Sequence, residues 1–265
     1  MRRLVLALIA TACSAVPVPA QVPATVFLEE LTWTEVRDAL QAGKTTVIMP
    51  TGGTEQNGPH MVLGKHNYLV KYKAGEIAKR LGNALVAPVM AYVPEGEIDP
   101  PTGHMRFPGT ITTPQEVFAK VLEFAARSFK QHGFRDIALL GDSGGNQTGQ
   151  KAVAESLNKE WASTPVRVHH LTDYYPGPGD DWLKQQGVKD EDVGSHASIH
   201  DTASLLLLNP AMIRREKLAP GKAGDGSGVI GNPTLATAEY GKRILEMQID
   251  AAVQQIRALR ESSRR

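Results

Sequence analysis

Short apolar runs alternate along this chain with longer stretches of helical periodicity. Runs that are rich in β-branched residues and bounded by glycine or proline predict strands at residues 45–50, 84–93, 136–140 and 166–171, the second with a break at Pro88. Apolar residues three or four positions apart predict helices at residues 27–41, 67–81, 113–133, 147–161, 202–208 and 234–260. Strands that alternate with helices are typical of α/β proteins with a mostly parallel sheet. We therefore predict a three-layer α/β/α fold.

The composition is that of a folded protein with one hydrophobic core. Of the 265 residues, 42% are hydrophobic, which excludes global disorder. No internal repeat or linker divides residues 21–265, so we expect one domain. The net charge is +1 and no basic block is present, which argues against a nucleic-acid partner.

The first twenty residues resemble a secretory signal peptide. A short positive start precedes an apolar stretch over residues 4–16, and the small residues Val18 and Ala20 precede the expected cleavage point. The apolar stretch is shorter than the roughly 20 residues needed to span a bilayer. We expect an exported protein, periplasmic or secreted, with no membrane association after cleavage. Lipidation of Cys13, the single cysteine, is a weaker alternative because the residues before it match the usual signal poorly.

Two glycine-rich loops carry most of the polar residues that could do chemistry. One follows the first predicted strand at residues 51–60, and the other follows the third at residues 141–146. Parallel strands bring their carboxyl ends to the same edge of a sheet, so we expect both loops to line one site. The candidate side chains are Glu55, Asn57, His60, His66, His104, Asp142, Ser143, Asn146, His196, His200 and Asp201. Nitrogen and oxygen donors of these types suit Zn²⁺ and Mn²⁺.

Several of these residues also have a purely structural interpretation. Asp142 and Asp201 each lie where they could cap a following helix. His60, directly after a proline, could hold the loop through hydrogen bonds. A serine hydrolase that uses Ser143 is a weaker interpretation, because the Gly-Asp-Ser-Gly-Gly sequence does not match the Gly-x-Ser-x-Gly elbow.

Five segments, taken in order, resemble the motifs of the creatininase family of metal-dependent amidohydrolases. Residues 52–63 follow the family's loop Gly-x-x-Glu-Gln-His-Gly-Pro-His-Leu-Pro-Leu, and residues 107–111 match its Phe-Pro-Gly-Thr segment. Residues 133–146, 196–202 and 228–239 are similar to its second loop and to its two later motifs. The resemblance implies a creatininase-like fold, hydrolysis of a C–N bond in a small amide or cyclic amide, and a homo-oligomer.

The same resemblance implies an altered metal site. Typical members hold two divalent ions through five side chains, and the matching positions here are Glu55, Asn57, His66, Ser143 and Asp201, of which only the first is unchanged. We therefore expect one Zn, Mn or Fe ion per chain, or none. The proposed metal-ligand set is Glu55 and His66, completed by Asp142 or by His200 and Asp201. The resemblance gives His196 a role in proton transfer, which it shares with Glu55.

Two other functions stay open at this stage. The loss of metal ligands is consistent with a non-catalytic protein that binds a small polar molecule in the old cleft. A metal-free hydrolase would instead use Ser143 as nucleophile, with His196 or His66 as its base.

Overall fold

The computed structural model describes residues 24–262, and four parallel strands form its sheet. The strands are β1 (Thr46–Thr51), β2 (Ala84–Val86), β3 (Asp136–Gly141) and β4 (Arg167–His170), in the spatial order β2-β1-β3-β4. The segment at residues 1–20, predicted to be a signal peptide, lies outside the described residues.

Helices cover both faces of the sheet, because successive strand residues point to opposite sides. Val47 and Met49 of β1 pack on one face beneath three helices, whereas Ile48 packs on the other face beneath two. The first group is α1 (Trp33–Gln41), α3 (Gln115–His132) and α4 (Gly144–Glu160); the second is α2 (Lys65–Leu81) and α8 (Ala238–Ser262). The predicted three-layer α/β/α arrangement is confirmed.

Shorter helices surround the edge of the sheet at which the strands end. They are α5 (Gly179–Gln185), α6 (Asp190–Val193) and α7 (Ile199–Leu208), together with single 3₁₀ turns at Leu28–Glu30, Gly103–Arg106, Pro210–Met212, Arg215–Lys217 and Pro233–Leu235. Helix α7 packs against α8, which fixes the segment that carries His196 above the sheet. None of the helices in the described range is long and apolar enough to cross a membrane.

Several element boundaries differ from the sequence predictions. The strand predicted at residues 84–93 ends at Val86, and Met90 and Val93 form only isolated bridges beyond Pro88. The physical reason is that proline lacks the N–H that a continued ladder requires. The polar stretch at residues 172–194, for which no helix was predicted, contains α5 and α6.

The helix starts also decide the capping alternatives. Thr32 and Glu35 form a reciprocal capping box at the start of α1. The N-cap of α4 is Ser143 without a side-chain bond, and α7 starts at Ile199. Asp142 therefore does not cap α4, and Asp201 lies inside the first turn of α7 rather than at its N-cap.

Candidate active site

The Glu55 carboxylate is buried at the carboxyl edge of the sheet, beneath the side chains that line a cleft. Its residue is 1% exposed, and it follows β1 by four positions. Asn146, at the start of α4, donates to the backbone oxygens of Thr51 and Gly52 at 3.1 and 2.9 Å. Asn57 donates to the backbone oxygen of Glu55 at 2.9 Å. These amides fix the loop that presents Glu55.

The cleft above Glu55 is large. Its volume is about 1410 Å³, and its walls include Glu95, His104, Ser143, Tyr175 and His196. Residues 94–116 supply one wall, and the chain from Lys222 to Ile230 supplies another. A cleft of this size admits a ligand well beyond a few atoms.

Two imidazoles approach Glu55 from the cleft side. The Nε2 atom of His104 lies 3.4 Å from Oε2 of Glu55, and the Nδ1 atom of His196 lies 3.8 Å from Oε1. The two rings contact each other, with centroids 4.5 Å apart. Burial lowers the pKa of both histidines, that of His196 to about 4, so both rings are neutral at pH 7.

Gln56 contacts the far side of both rings. Its Nε2 atom lies 3.0 Å from Nδ1 of His104 and 3.0 Å from Nε2 of His196, whose Nε2 also lies 3.0 Å from the Gln56 backbone oxygen. The Gln56 Oε1 atom accepts from the backbone N–H of Gly58 at 2.9 Å. Gln56 thus holds the two rings so that their other nitrogens face Glu55.

Below the cleft, Glu55 begins a buried chain of charged groups. His66 lies between two carboxylates, with Nε2 2.9 Å from Glu55 and Nδ1 3.0 Å from Asp142. Lys73 donates to Asp142 at 2.5 Å, and the hydroxyl of Tyr174 donates to the same oxygen. Burial and Lys65 act to lower the pKa of His66, but the carboxylates outweigh them and raise it. The ring therefore donates from both nitrogens.

These cations keep the buried carboxylates ionised. Burial favours the neutral form of Glu55, but His66 and Lys65 hold its pKa well below the usual value. Burial also opposes ionisation of Asp142, yet Lys73 and His66 lower its pKa to about 2. The charge of each carboxylate thus depends on a named partner.

A second ion pair lies on the other side of Glu55. The Nζ atom of Lys65, itself 1% exposed, lies 2.5 Å from Oδ2 of Asp201 and 3.9 Å from Oε1 of Glu55. Asp201 also accepts from the backbone N–H of Ala197 at 3.0 Å. Ala197 has a φ of 52°, unusual for a residue other than glycine, and Asp201 stabilises this turn beside His196.

Glu95 places a second carboxyl group next to Glu55. Burial first, and then the nearby Glu55 carboxylate, raise the pKa of Glu95 to about 10, while Lys65 and Ser143 oppose the shift less strongly. The wall of the cleft therefore carries a protonated carboxyl at neutral pH.

The structure separates the sequence-predicted site residues into two groups. His104, Ser143 and His196 line the cleft. The residues with supporting contacts are Asn57, Asn146, His60, whose Nε2 lies 3.1 Å from the Thr202 hydroxyl, and His200, whose Nδ1 lies 2.9 Å from Asp180. Asn57, His60 and Asn146 are fully buried and are not among the residues that line the cleft.

The predicted metal ligands His66, Asp142 and Asp201 already use their ring nitrogens or carboxylate oxygens in the ion pairs described above. Among residues 24–262, the side chains whose spacing could hold an ion are instead Glu55, His104 and His196, with one ligand atom from each lying within 4.8 Å of the others. The two sets share only Glu55.

Sequence reasoning missed Lys65, Lys73, Gln56 and Glu95. Two signals were present in the chain. Lys65 and Lys73 are charged residues on an otherwise apolar face of α2, and Gln56 directly follows the candidate glutamate. No local signal marks Glu95, because its neighbours in the sequence belong to an irregular loop.

Comparison with known proteins identifies the family of the chain. The sequence profile of the creatininase family, described as creatinine amidohydrolase, matches residues 29–256. A mycofactocin precursor peptide peptidase from Mycobacterium tuberculosis is 27% identical, over 82% of this chain and 86% of its own. Creatinine amidohydrolase from Pseudomonas putida is 23% identical, over 88% and 96%.

Solved structures give the same result for the fold. The structure of Creatininase Mn superposes with a TM-score of 0.77 at 22% identity, covering 88% of this chain and 98% of its own, and a Zn-Zn type creatininase mutant gives the same values. The parallel sheet, the helices on both of its faces and the family profile agree. The chain belongs to the creatininase family.

Proposed function

We propose that the protein is a metal-dependent hydrolase that cleaves a C–N bond of a small amide or cyclic amide in the cleft above Glu55. The observation that carries the proposal is the convergence of two neutral imidazoles that line a large cleft with one buried carboxylate beneath them. The named relatives that act on C–N bonds, a creatinine amidohydrolase and a peptidase, support this reaction class.

The donor set fits a single divalent ion. Metal-binding imidazoles must be neutral, and burial keeps His104 and His196 neutral. Ligand rings also need an acceptor for the N–H on the opposite nitrogen: the Gln56 backbone oxygen lies 3.0 Å from Nε2 of His196, whereas Nδ1 of His104 faces the Gln56 amide nitrogen, which is a donor. Relatives solved as Mn and Zn-Zn forms favour one of these metals. Glu55, His104 and His196 would hold the ion, in place of the set predicted from the sequence.

The chain's own groups then position the substrate and move protons. When bound, such an ion polarises an amide carbonyl and lowers the pKa of water towards ~7. The Glu95 carboxyl lines the cleft, and its raised pKa lets it hold a proton that it would give to a leaving nitrogen. Ser143 and Tyr175 offer hydroxyl groups in the same wall to orient a polar substrate.

Metal analysis tests the first half of this proposal. We expect about one equivalent of Zn or Mn in the purified protein by elemental mass spectrometry, and loss of it in Glu55→Gln, His104→Ala and His196→Ala. His132→Ala is the matched control, since His132 lies exposed at the end of α3. A wild-type protein that takes up no metal after reconstitution would refute the metal-dependent reaction.

A panel of linear and cyclic amides tests the second half. Release of amine or carboxylate by the metal-loaded protein, and its loss in Glu95→Gln with retained metal, is the expected result. Saturable binding of an amide without turnover would instead favour a non-catalytic binding protein. One contact favours the binding protein over the hydrolase. The Nε2 atom of His66 lies 2.9 Å from Oε1 of Glu55, so this carboxylate oxygen is already engaged and less free to bind a metal.

A further inference from the structure

We propose that Lys65 is a built-in cation that excludes a second divalent ion from this site. The inference rests on the proposed function only in taking Glu55 as part of a cation-binding cluster. It concerns what the chain has placed next to that cluster.

Two buried carboxylates and a third that is partly exposed lie below the cleft, and each contacts a cationic side chain of the protein. The side chains of Glu55 and Asp142 are 2% and 3% exposed, and that of Asp201 is 19% exposed. Lys65 pairs with Asp201 and Lys73 with Asp142, each at 2.5 Å. A group of negative charges that would otherwise attract metal ions is therefore already paired.

Helix α2 delivers these cations. Lys65 and Lys73 are eight residues apart, which is about two helical turns, and both lie on the buried side of α2. Their side chains are 1% and 2% exposed. Burying two ammonium groups without partners would be highly unfavourable, so this face of α2 is compatible only with carboxylates opposite it.

Lys65 occupies the place in which a bridging cation would lie. Its Nζ atom is between Asp201 Oδ2, at 2.5 Å, and Glu55 Oε1, at 3.9 Å. A chamber of about 60 Å³ adjoins it, lined by Lys65, His200 and Asp201 among others. Shortening the Lys65 side chain would join its space to this chamber and leave two carboxylate oxygens without their cation. Those oxygens are the ligand type that Mn²⁺ and Zn²⁺ accept.

The test is the difference in metal stoichiometry between Lys65→Ala and the wild type. Both proteins are loaded with MnCl₂ or ZnCl₂, freed of excess ion and measured by elemental mass spectrometry, with calorimetric titration as a second readout. We expect Lys65→Ala to bind about one more equivalent than the wild type, and Lys65→Ala/Asp201→Asn to bind no additional ion. Lys71→Ala is the matched control, because Lys71 is exposed on the same helix and pairs with Glu29.

An unchanged stoichiometry in folded Lys65→Ala would overturn the proposal. If this variant folds only with Mn²⁺ or Zn²⁺, that metal-specific recovery supports it. If the variant stays unfolded with either ion, and Lys65→Gln also gains no ion, the proposal is wrong. If the wild type binds no metal, the proposed function is refuted. If Lys65→Ala then binds about one equivalent of metal, the role of Lys65 is still supported.

Discussion

Replacing Lys73 by methionine should destabilise the protein strongly. Methionine keeps most of the volume of the lysine but removes the ammonium, which lies 2.5 Å from Asp142, 3.2 Å from Oε1 of Gln248 and 4.7 Å from the ring centre of Tyr174. Asp142 is then left buried, with His66 and Tyr174 as its remaining partners.

The magnitude follows from the burial of both partners. Removing one member of a buried ion pair costs about 3–5 kcal/mol, because the other charge stays uncompensated. The lower end applies here since two hydrogen bonds to Asp142 survive. With a urea m-value of about 3 kcal/mol/M, a loss of about 3 kcal/mol lowers the unfolding midpoint by about 1 M.

Urea unfolding followed by circular dichroism measures this loss. Lys71→Met is the control: Lys71 pairs with Glu29 at 2.5 Å but is 45% exposed, so its loss should cost at most about 1 kcal/mol. The double variant Lys73→Met/Asp142→Asn should lose less than the sum of its single variants. Equal midpoints for the Lys73 and Lys71 variants would refute the argument.

The pH dependence of the same pair gives an independent check. The pKa of Asp142 is lowered to about 2 in the folded protein, below the ordinary value of 3.8. Its ionised form therefore stabilises the fold fully above the unfolded pKa, and this contribution is lost as the pH falls through the folded pKa. The stability difference between the wild type and Lys73→Met should narrow between about pH 4 and pH 2.

Three further changes have expected outcomes. Gly145→Ala places a methyl group 2.1 Å from the Pro94 backbone oxygen, so the free energy of unfolding should fall by about 1–3 kcal/mol, measured by urea unfolding. Gln56→Ala removes the side-chain amide that contacts both candidate metal-binding imidazoles, so the rings lose this restraint on their orientation and the metal affinity measured by calorimetry should fall about 10–100-fold. Thr32→Ala breaks the capping box of α1 and should cost about 1 kcal/mol, measured by thermal unfolding.

Each of these has a close control. A methyl group at Gly144 meets nothing closer than the Tyr175 hydroxyl at 4.0 Å, so equal losses in the two glycine variants would contradict the steric argument. Gln255→Ala, on α8, should leave metal affinity unchanged. Thr32→Ser keeps the capping oxygen, and a loss as large as that of Thr32→Ala would contradict the capping role.

The sequence was sufficient to predict the layers and the edge of the sheet that carries the site. Strand residues such as Val47 and Ile48 are apolar and β-branched because they are buried on opposite faces, and that requirement is visible locally. The loop motif around Glu55 and the segment that contains Ser143 were also visible, because their residues match recognisable motifs, whereas His104 lies in a loop without such a pattern.

The pairing of charges could not be predicted in the same way. Lys65 meets Asp201 across 136 positions, and Lys73 meets Asp142 across 69, so neither partner has a local signature. A lysine in a helix is ordinarily read as a surface residue, and only the packing of α2 against the sheet shows that these two are buried. Asp142 and Asp201 were therefore assigned to metal binding or capping, whereas the structure gives both an ammonium partner.

This pairing also relates the substitutions in the loops to each other. A metal centre needs negative ligands without competing cations, and His66, Lys65 and Lys73 place positive charge against Glu55, Asp201 and Asp142. Restoring a single lost ligand, as in Asn57→His, would leave those cations in place. Restored ligands alone should therefore leave the second ion excluded, since a new imidazole cannot displace an ammonium that is already paired, and removal of Lys65 is the change that should admit it.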